Sequence, residues 1–243
     1  MRTQNNPHRR ITSEVRQKVR NWITEAAFGL AGYAALLFLS AGRLDWVWGW
    51  ALLGVLAAFL AAHPLILIPI NPELLAEREK GLRDPRMKAW DRWVSALAAG
   101  LFPIAAMLVA GLDVRFRWTD SFPLSLHLAG LVVSMLGYGL FLWAMASNAY
   151  FSEGVRIQGE RGHTVATGGP YRYLRHPGYL GSILAMIATP FLLGSFWAAI
   201  PAAISAVLYI LRTGLEDQTL IEELPGYAAY TRRTRFRLVP GIW

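Results

Sequence analysis

Cysteine is missing from all 243 residues, which excludes disulfides and thiolate-held metals at once. Charge is scarce too: Asp, Glu, Lys and Arg make up 16% of the chain, against about 25% in soluble domains. No Gly-rich phosphate loop, nucleophile elbow or His/Asp/Glu cluster at metal-ligand spacing is visible. The histidines (8, 63, 127, 163 and 176) are scattered along the chain, so no metal ligand is assigned. His63, before Pro64 in an apolar run, reads as a satisfied histidine. No repeat or low-complexity segment stands out.

What is abundant is apolar. Hydrophobic residues are 54% of the chain and its mean hydropathy is +0.33, which places it in the membrane class. Apolar runs at 24–42, 46–70, 93–112 and 125–149 each approach the roughly 20 residues a bilayer requires. The second begins in an aromatic belt of Trp46, Trp48 and Trp50. The stretch 179–213 is too long for one span and is interrupted by Pro190, Gly194 and Pro201. It reads as a tight hairpin of two short helices, with one bent helix as the alternative. The expected fold is an all-α integral membrane protein of about six transmembrane helical segments. The basic segment 1–25 (Arg9, Arg10, Arg16, Lys18, Arg20) precedes a first span that reads as uncleaved, not as a signal peptide. Three parts are expected: segment 1–25, transmembrane helices over 26–125 with an interfacial loop at 71–92, and a core over 126–243.

Charge distribution orients these spans. Segments 1–25, 71–92, 150–178 and 212–243 hold 21 of the 24 Lys and Arg, leaving three in 43–45 and 113–123. That bias predicts both termini on the cytoplasmic side. It assigns the basic charge of +8 to orientation and anionic membrane lipids, so no nucleic-acid partner is expected. Loop 71–92 reads as an amphipathic interfacial helix, capped near Asn71 and stopped near Gly81. It is either a solvated surface helix or a lid.

The chemistry concentrates in one run, Thr167-Gly168-Gly169-Pro170-Tyr171-Arg172-Tyr173-Leu174-Arg175-His176-Pro177-Gly178-Tyr179-Leu180-Gly181. Gly168-Gly169-Pro170 is a turn signal, and Pro177 suits the first position of a helix with His176 at its N-cap. Free N–H groups there favour an anion. Gly178 and Gly181 are expected to leave that turn bare for a ligand, and Tyr171, Tyr173 and Tyr179 offer flat faces. An interfacial Tyr/Arg belt is the competing reading. Asn148 is either a ligand contact or a helix cap. Farther on, Glu216-Asp217 and Glu222-Glu223 supply acidic pairs suited to an amine or ribose hydroxyls. A carboxylate site, aromatic faces and acids together suit S-adenosyl-L-methionine; NADPH or a nucleotide lipid could use them too.

The paired motifs Gly169-Pro170-Tyr171-Arg172-Tyr173 and Arg175-His176-Pro177-Gly178-Tyr179 resemble those of the isoprenylcysteine carboxyl methyltransferase family, a relative of integral-membrane phospholipid methyltransferases. The likeness continues through Glu216-Asp217, Leu220, Gly226-Tyr227, Tyr230 and Arg237-Leu238-Val239-Pro240, and more weakly in Asn71 to Arg78. It departs in placing Asp217 where the family commonly has a second glutamate. The resemblance implies a bacterial-type, inner-membrane enzyme transferring a methyl from S-adenosyl-L-methionine to a lipid or lipidated acceptor at the cytoplasmic face. The C-terminal segment would close the cofactor site. It implies cofactor contacts from Gly169, Pro170, Tyr171, His176, Pro177, Tyr179, Glu216 and Asp217, with Arg175 and Arg235 (or Arg237) acting on anionic groups in catalysis. A sterol-reductase-like enzyme using NADPH and a non-catalytic scaffold or transport component are the alternatives. The acceptor, the oligomeric state and the choice between the two acidic pairs stay open.

Overall fold

The computed structural model describes residues 12–78 and 80–243. His8, Arg9, Arg10 and Glu79 fall outside the described residues. Among those described, every regular element is helical. Helix α1 (Ser13–Ala41) starts at a Thr12 cap whose hydroxyl accepts the Val15 N–H, and ends where Gly42 takes the left-handed conformation. It begins well before the apolar run, so its first turns are polar. Helix α2 (Val47–Ile70) carries Pro64 and Pro69 without ending at either.

Helix α3 (Pro72–Arg78) is the interfacial element, capped as expected by the Asn71 carboxamide, which accepts the Leu74 N–H at 3.2 Å. It is one short helix, and Leu74 and Leu75 are buried. It therefore packs on α1 and α2 and does not float as a solvated surface helix. Helices α4 (Ala89–Ser95) and α5 (Phe102–Phe116) are joined by a π turn at Ala96–Leu101 into one continuous rod. Helix α6 (Leu124–Ala146) follows.

The interrupted stretch is a hairpin, not a bent helix. It comprises α7 (Pro177–Leu193) and α8 (Ala199–Glu223), with the short α9 (Tyr227–Arg233) beyond. Pro190 and Pro201 lie inside their helices; the break is at Gly194, which takes φ +77°. The hairpin differs from the expected pair of short helices, because α8 runs 25 residues and carries Glu216 to Glu223 on its polar end. Among the described residues five helices are long and apolar enough to cross a membrane: α1, α2, the α4–α5 rod, α6 and α8. Helix α7 is apolar but only 17 residues long.

Helices α6 and α7 approach at backbone distance. A Cβ on Gly137 would lie 2.6 Å from the Gly181 carbonyl oxygen, and one on Gly130 would lie 2.4 Å from the Leu192 nitrogen. Small residues allow such contact between apolar helices, where lipid supplies no hydrophobic drive for association. This corrects the expectation for Gly181: its bareness admits helix α6, not a ligand.

Candidate active site

The ends of α6 and α8, the start of α7, α9 and the connecting segment 147–176 surround a cleft of about 790 Å³ counted out to open solvent. Its wall includes Asn148, Tyr150, Phe151, His163, Tyr171, Arg175, His176, Gly178, Tyr179, Glu216, Tyr227 and Tyr230.

The segment entering α7 is held by its carbonyls and by two turns. Gly169 has φ +54°, and a Cβ there would meet the Ser147 hydroxyl at 2.2 Å, so only glycine fits. Pro170 starts a single 3-10 turn, Gly169–Arg172, which buries Tyr171. Pro177 opens α7 with His176 as its N-cap. The Tyr179 and Leu180 N–H groups already donate to the His176 carbonyl. Fewer first-turn donors therefore face the cleft than a bare helix start would offer.

Asp217 is fully buried and is a hub, not a cleft residue. It accepts Arg175 Nε and Nη2, each at 2.8 Å, Arg237 Nε at 2.8 Å and the Tyr227 hydroxyl at 2.9 Å, with His176 Nε2 at 3.1 Å. The remaining Arg175 nitrogen donates to the carbonyls of Thr234 and Arg235. Backbone bonds from Arg175 and His176 to the Phe236 and Arg237 carbonyls complete the seam. A bidentate arginine–carboxylate pair is geometrically demanding, and this one fixes α7, α8 and the tail together.

Two expectations change as a result. Asp217 does not line the cleft and its acceptor capacity is used internally. Arg175 stands in the wall with its guanidinium engaged, so it is a positioning residue. The Arg235 side chain is exposed and outside the cleft; only its carbonyl takes part.

Glu216, one residue earlier, does line the cleft. It accepts a short hydrogen bond from the Tyr179 hydroxyl. Of the two acidic pairs, the other is spent elsewhere: Glu222 accepts Gln218 and Glu223 pairs with Lys88. Tyr179 stacks on His176 at 5.7 Å, and the Arg212 guanidinium lies 4.9 Å from its ring centre. The C-cap of α6 is Ser147, while Asn148 lines the cleft. Its carbonyl accepts the Tyr150 N–H to turn the chain after α6, and its amide donates to the Tyr171 hydroxyl in the cleft wall.

Burial shifts several groups of the wall toward their neutral forms. Burial pushes the Tyr171 hydroxyl up, does the same to Tyr227 with help from Asp217, and raises Tyr230 to about 12. Burial, then Arg156 and Arg161, lower His163 to about 4, so it is uncharged at neutral pH. Its Nδ1 accepts the Gln158 N–H and its ring lies against Tyr150.

A second buried hub, unforeseen in the sequence, supports the first. Asp91 accepts Arg212 Nε at 2.6 Å and Nη2 at 3.0 Å, the Ser95 hydroxyl and the Val155 N–H. It ties α4 to α8 and to the segment that forms the cleft floor. Only its partner Arg212 carried a hint, as a cation at the inner end of an apolar run.

Residues 129–222 match the model of the isoprenylcysteine carboxyl methyltransferase (ICMT) family. The resemblance seen in the Gly169 and Arg175 motifs holds over this stretch, which contains α7, most of α8 and Glu216. The chain is also 29% identical over 154 residues to the cobalt-zinc-cadmium resistance protein CzcN of Cupriavidus metallidurans. That match covers 60% of this chain and 66% of the relative, just under two thirds of its length.

Proposed function

We propose that this protein is an S-adenosyl-L-methionine-dependent methyltransferase of a bacterial inner membrane, acting at the cytoplasmic face on a lipid or lipidated acceptor. The observation that carries this reading is Glu216 facing an aromatic-walled cleft inside the stretch matched to the methyltransferase family. The donor set suits the cofactor: one carboxylate for an amine or ribose hydroxyls, and tyrosine faces for a soft cation, worth about 0.5–2 kcal/mol. Bound there, the cofactor supplies an electrophilic methyl on a positively charged sulfur.

The chain's own contribution is placement and exclusion of water. Glu216 is oriented by Tyr179, and Tyr179 is held by His176 and Arg212. Tyr171 lines the wall, whereas Gly169, Pro170 and Pro177 do not line it and set the turn and helix start behind it. The Arg175–Asp217–Arg237 seam keeps the tail closed against it. An acceptor carboxylate is ionised at neutral pH and needs no general base, so positioning and desolvation lower the barrier. Among the described residues no group of three His, Cys, Asp or Glu gathers as a metal site, and the resistance named for the relative is not carried over.

The test uses membranes containing the full chain, supplied with cofactor labelled on its methyl. Label should enter the organic-extractable fraction with wild type and fall to background with Glu216→Ala. No label from folded wild-type protein, across extracts of native lipid, would overturn the proposal. A reductase reading predicts instead that NADPH binds the cleft.

A further inference from the structure

Among the described residues four arginines are nine-tenths or more buried: Arg78, Arg156, Arg175 and Arg212. Three are saturated by carboxylates. Arg175 and Arg212 each make two-pronged pairs with a fully buried aspartate. Arg156 meets Glu77, Asp84 and Glu160 at 2.8, 3.1 and 2.7 Å. Arg78 is the exception. One nitrogen donates to the Phe151 carbonyl at 3.2 Å, and another makes a single contact of 3.2 Å with Glu153, a carboxylate still 35% exposed. Its Nε is buried with no hydrogen-bond partner, one of two such side-chain atoms among the described residues.

The surroundings of Arg78 are unusual for a purely structural cation. Its guanidinium lies 5.8 Å from the Phe141 ring and 5.6 Å from the Phe151 ring. Beyond them the aromatic cluster continues through Phe59, His63 and Trp22 on α1 and α2. One face of the site is therefore apolar and the other has an exchangeable carboxylate. A buried guanidinium with one N–H unpartnered and a single carboxylate contact is suited to recognising a phosphate or carboxylate. Phe151 also lines the cleft, so the two places share that ring.

We infer that Arg78 is a seat for the anionic headgroup of a membrane lipid, with Glu153 as the internal carboxylate that occupies it when no lipid is bound and the aromatic cluster receiving the chain. The site needs no methyl transfer to operate. It goes beyond the proposed activity and stands or falls separately from it.

Native mass spectrometry of the detergent-purified full chain tests this. The probe is dioleoylphosphatidylglycerol, with dioleoylglycerol as the uncharged control and inorganic phosphate as competitor. Wild type should bind the anionic lipid in preference to dioleoylglycerol, and phosphate should not displace it. Arg78→Gln should weaken that binding about tenfold, with Arg78→Lys between. Glu153→Gln, which removes the competing anion and leaves the buried arginine in place, should tighten it several-fold. Equal binding by wild type, Arg78→Gln and Glu153→Gln would overturn the assignment, as would displacement by phosphate alone. If Arg78→Gln fails to fold, Glu153→Gln still decides: unchanged binding sinks the proposal. S-adenosylhomocysteine binding in the same preparation reads the cleft independently.

Discussion

The two ends of the helical bundle solve the same problem in different ways. At the end away from the cleft, Asp113 is buried and is satisfied by neutral donors: the Thr119 N–H and hydroxyl and the Ser195 hydroxyl. His127 there bonds the Leu192 carbonyl and stacks on Trp48 at 4.1 Å. At the cleft end, Asp217 and Asp91 are buried against arginines brought from 42 and 121 residues away. Hydroxyls tie Asp113 both to the nearby Thr119 and to Ser195, 82 residues on; at the cleft end charged pairs make the long-range ties instead. Desolvating such pairs is costly, and their return is often geometry more than stability. The cleft end is where geometry matters.

Breaking the charged end should therefore do the most damage. Asp217→Ala leaves Arg175 buried without its carboxylate, and loss of one partner of such a pair costs about 3–5 kcal/mol. Thermal unfolding in detergent should show a large drop, and cofactor binding should vanish with it. Gly137→Ala attacks the α6–α7 contact that positions the same end. Its new methyl meets backbone, so about 1–3 kcal/mol is expected, read as a lower melting temperature with weakened cofactor binding. Asp113→Asn, at the far end, removes charge from a site held by neutral donors. A cost of about 1 kcal/mol is expected, with cofactor affinity unchanged in calorimetry.

The smallest effect is a pH dependence confined to the cleft end. His163 is lowered from 6.5 to about 4 in the folded protein. The unfolded chain therefore takes up a proton first, and the contribution of His163 is complete above about pH 6.5 and lost as pH falls toward 4. Asp84 is held down to about 2, chiefly by its hydrogen bonds from Arg86, so its contribution persists until pH falls below its ordinary 3.8. Melting between about pH 6.5 and 4 should then flatten in His163→Asn. A slope unchanged by that substitution would show another group at work.

The same contrast explains what was legible in the sequence. The turn at Gly169-Pro170, the helix start at Pro177 and the spans were readable because each is decided by neighbours in the chain. The hairpin was readable as a break among Pro190, Gly194 and Pro201, and it falls at Gly194. Pro190 and Pro201 are more conspicuous than Gly194, yet only Gly194 has a backbone that ends a helix. Gly181 looked like room for a ligand because a missing side chain does not say what fills the space. Asp217 and Glu216 were inseparable as letters. One turn of α8 sends the first to Arg175 and the second to the cleft, and only packing settles that. The arginines misled in the same way: Arg235 is exposed, while Arg78 was read only as part of an interfacial helix.

The most direct test of the central claim is calorimetric binding of S-adenosylhomocysteine to the detergent-purified chain, beside Glu216→Gln and with NADPH as control. The account predicts micromolar binding to wild type, weakened about tenfold in Glu216→Gln at an unchanged melting temperature, and no heat from NADPH. Folded wild-type protein that ignores S-adenosylhomocysteine, or that binds NADPH in its place, would contradict it.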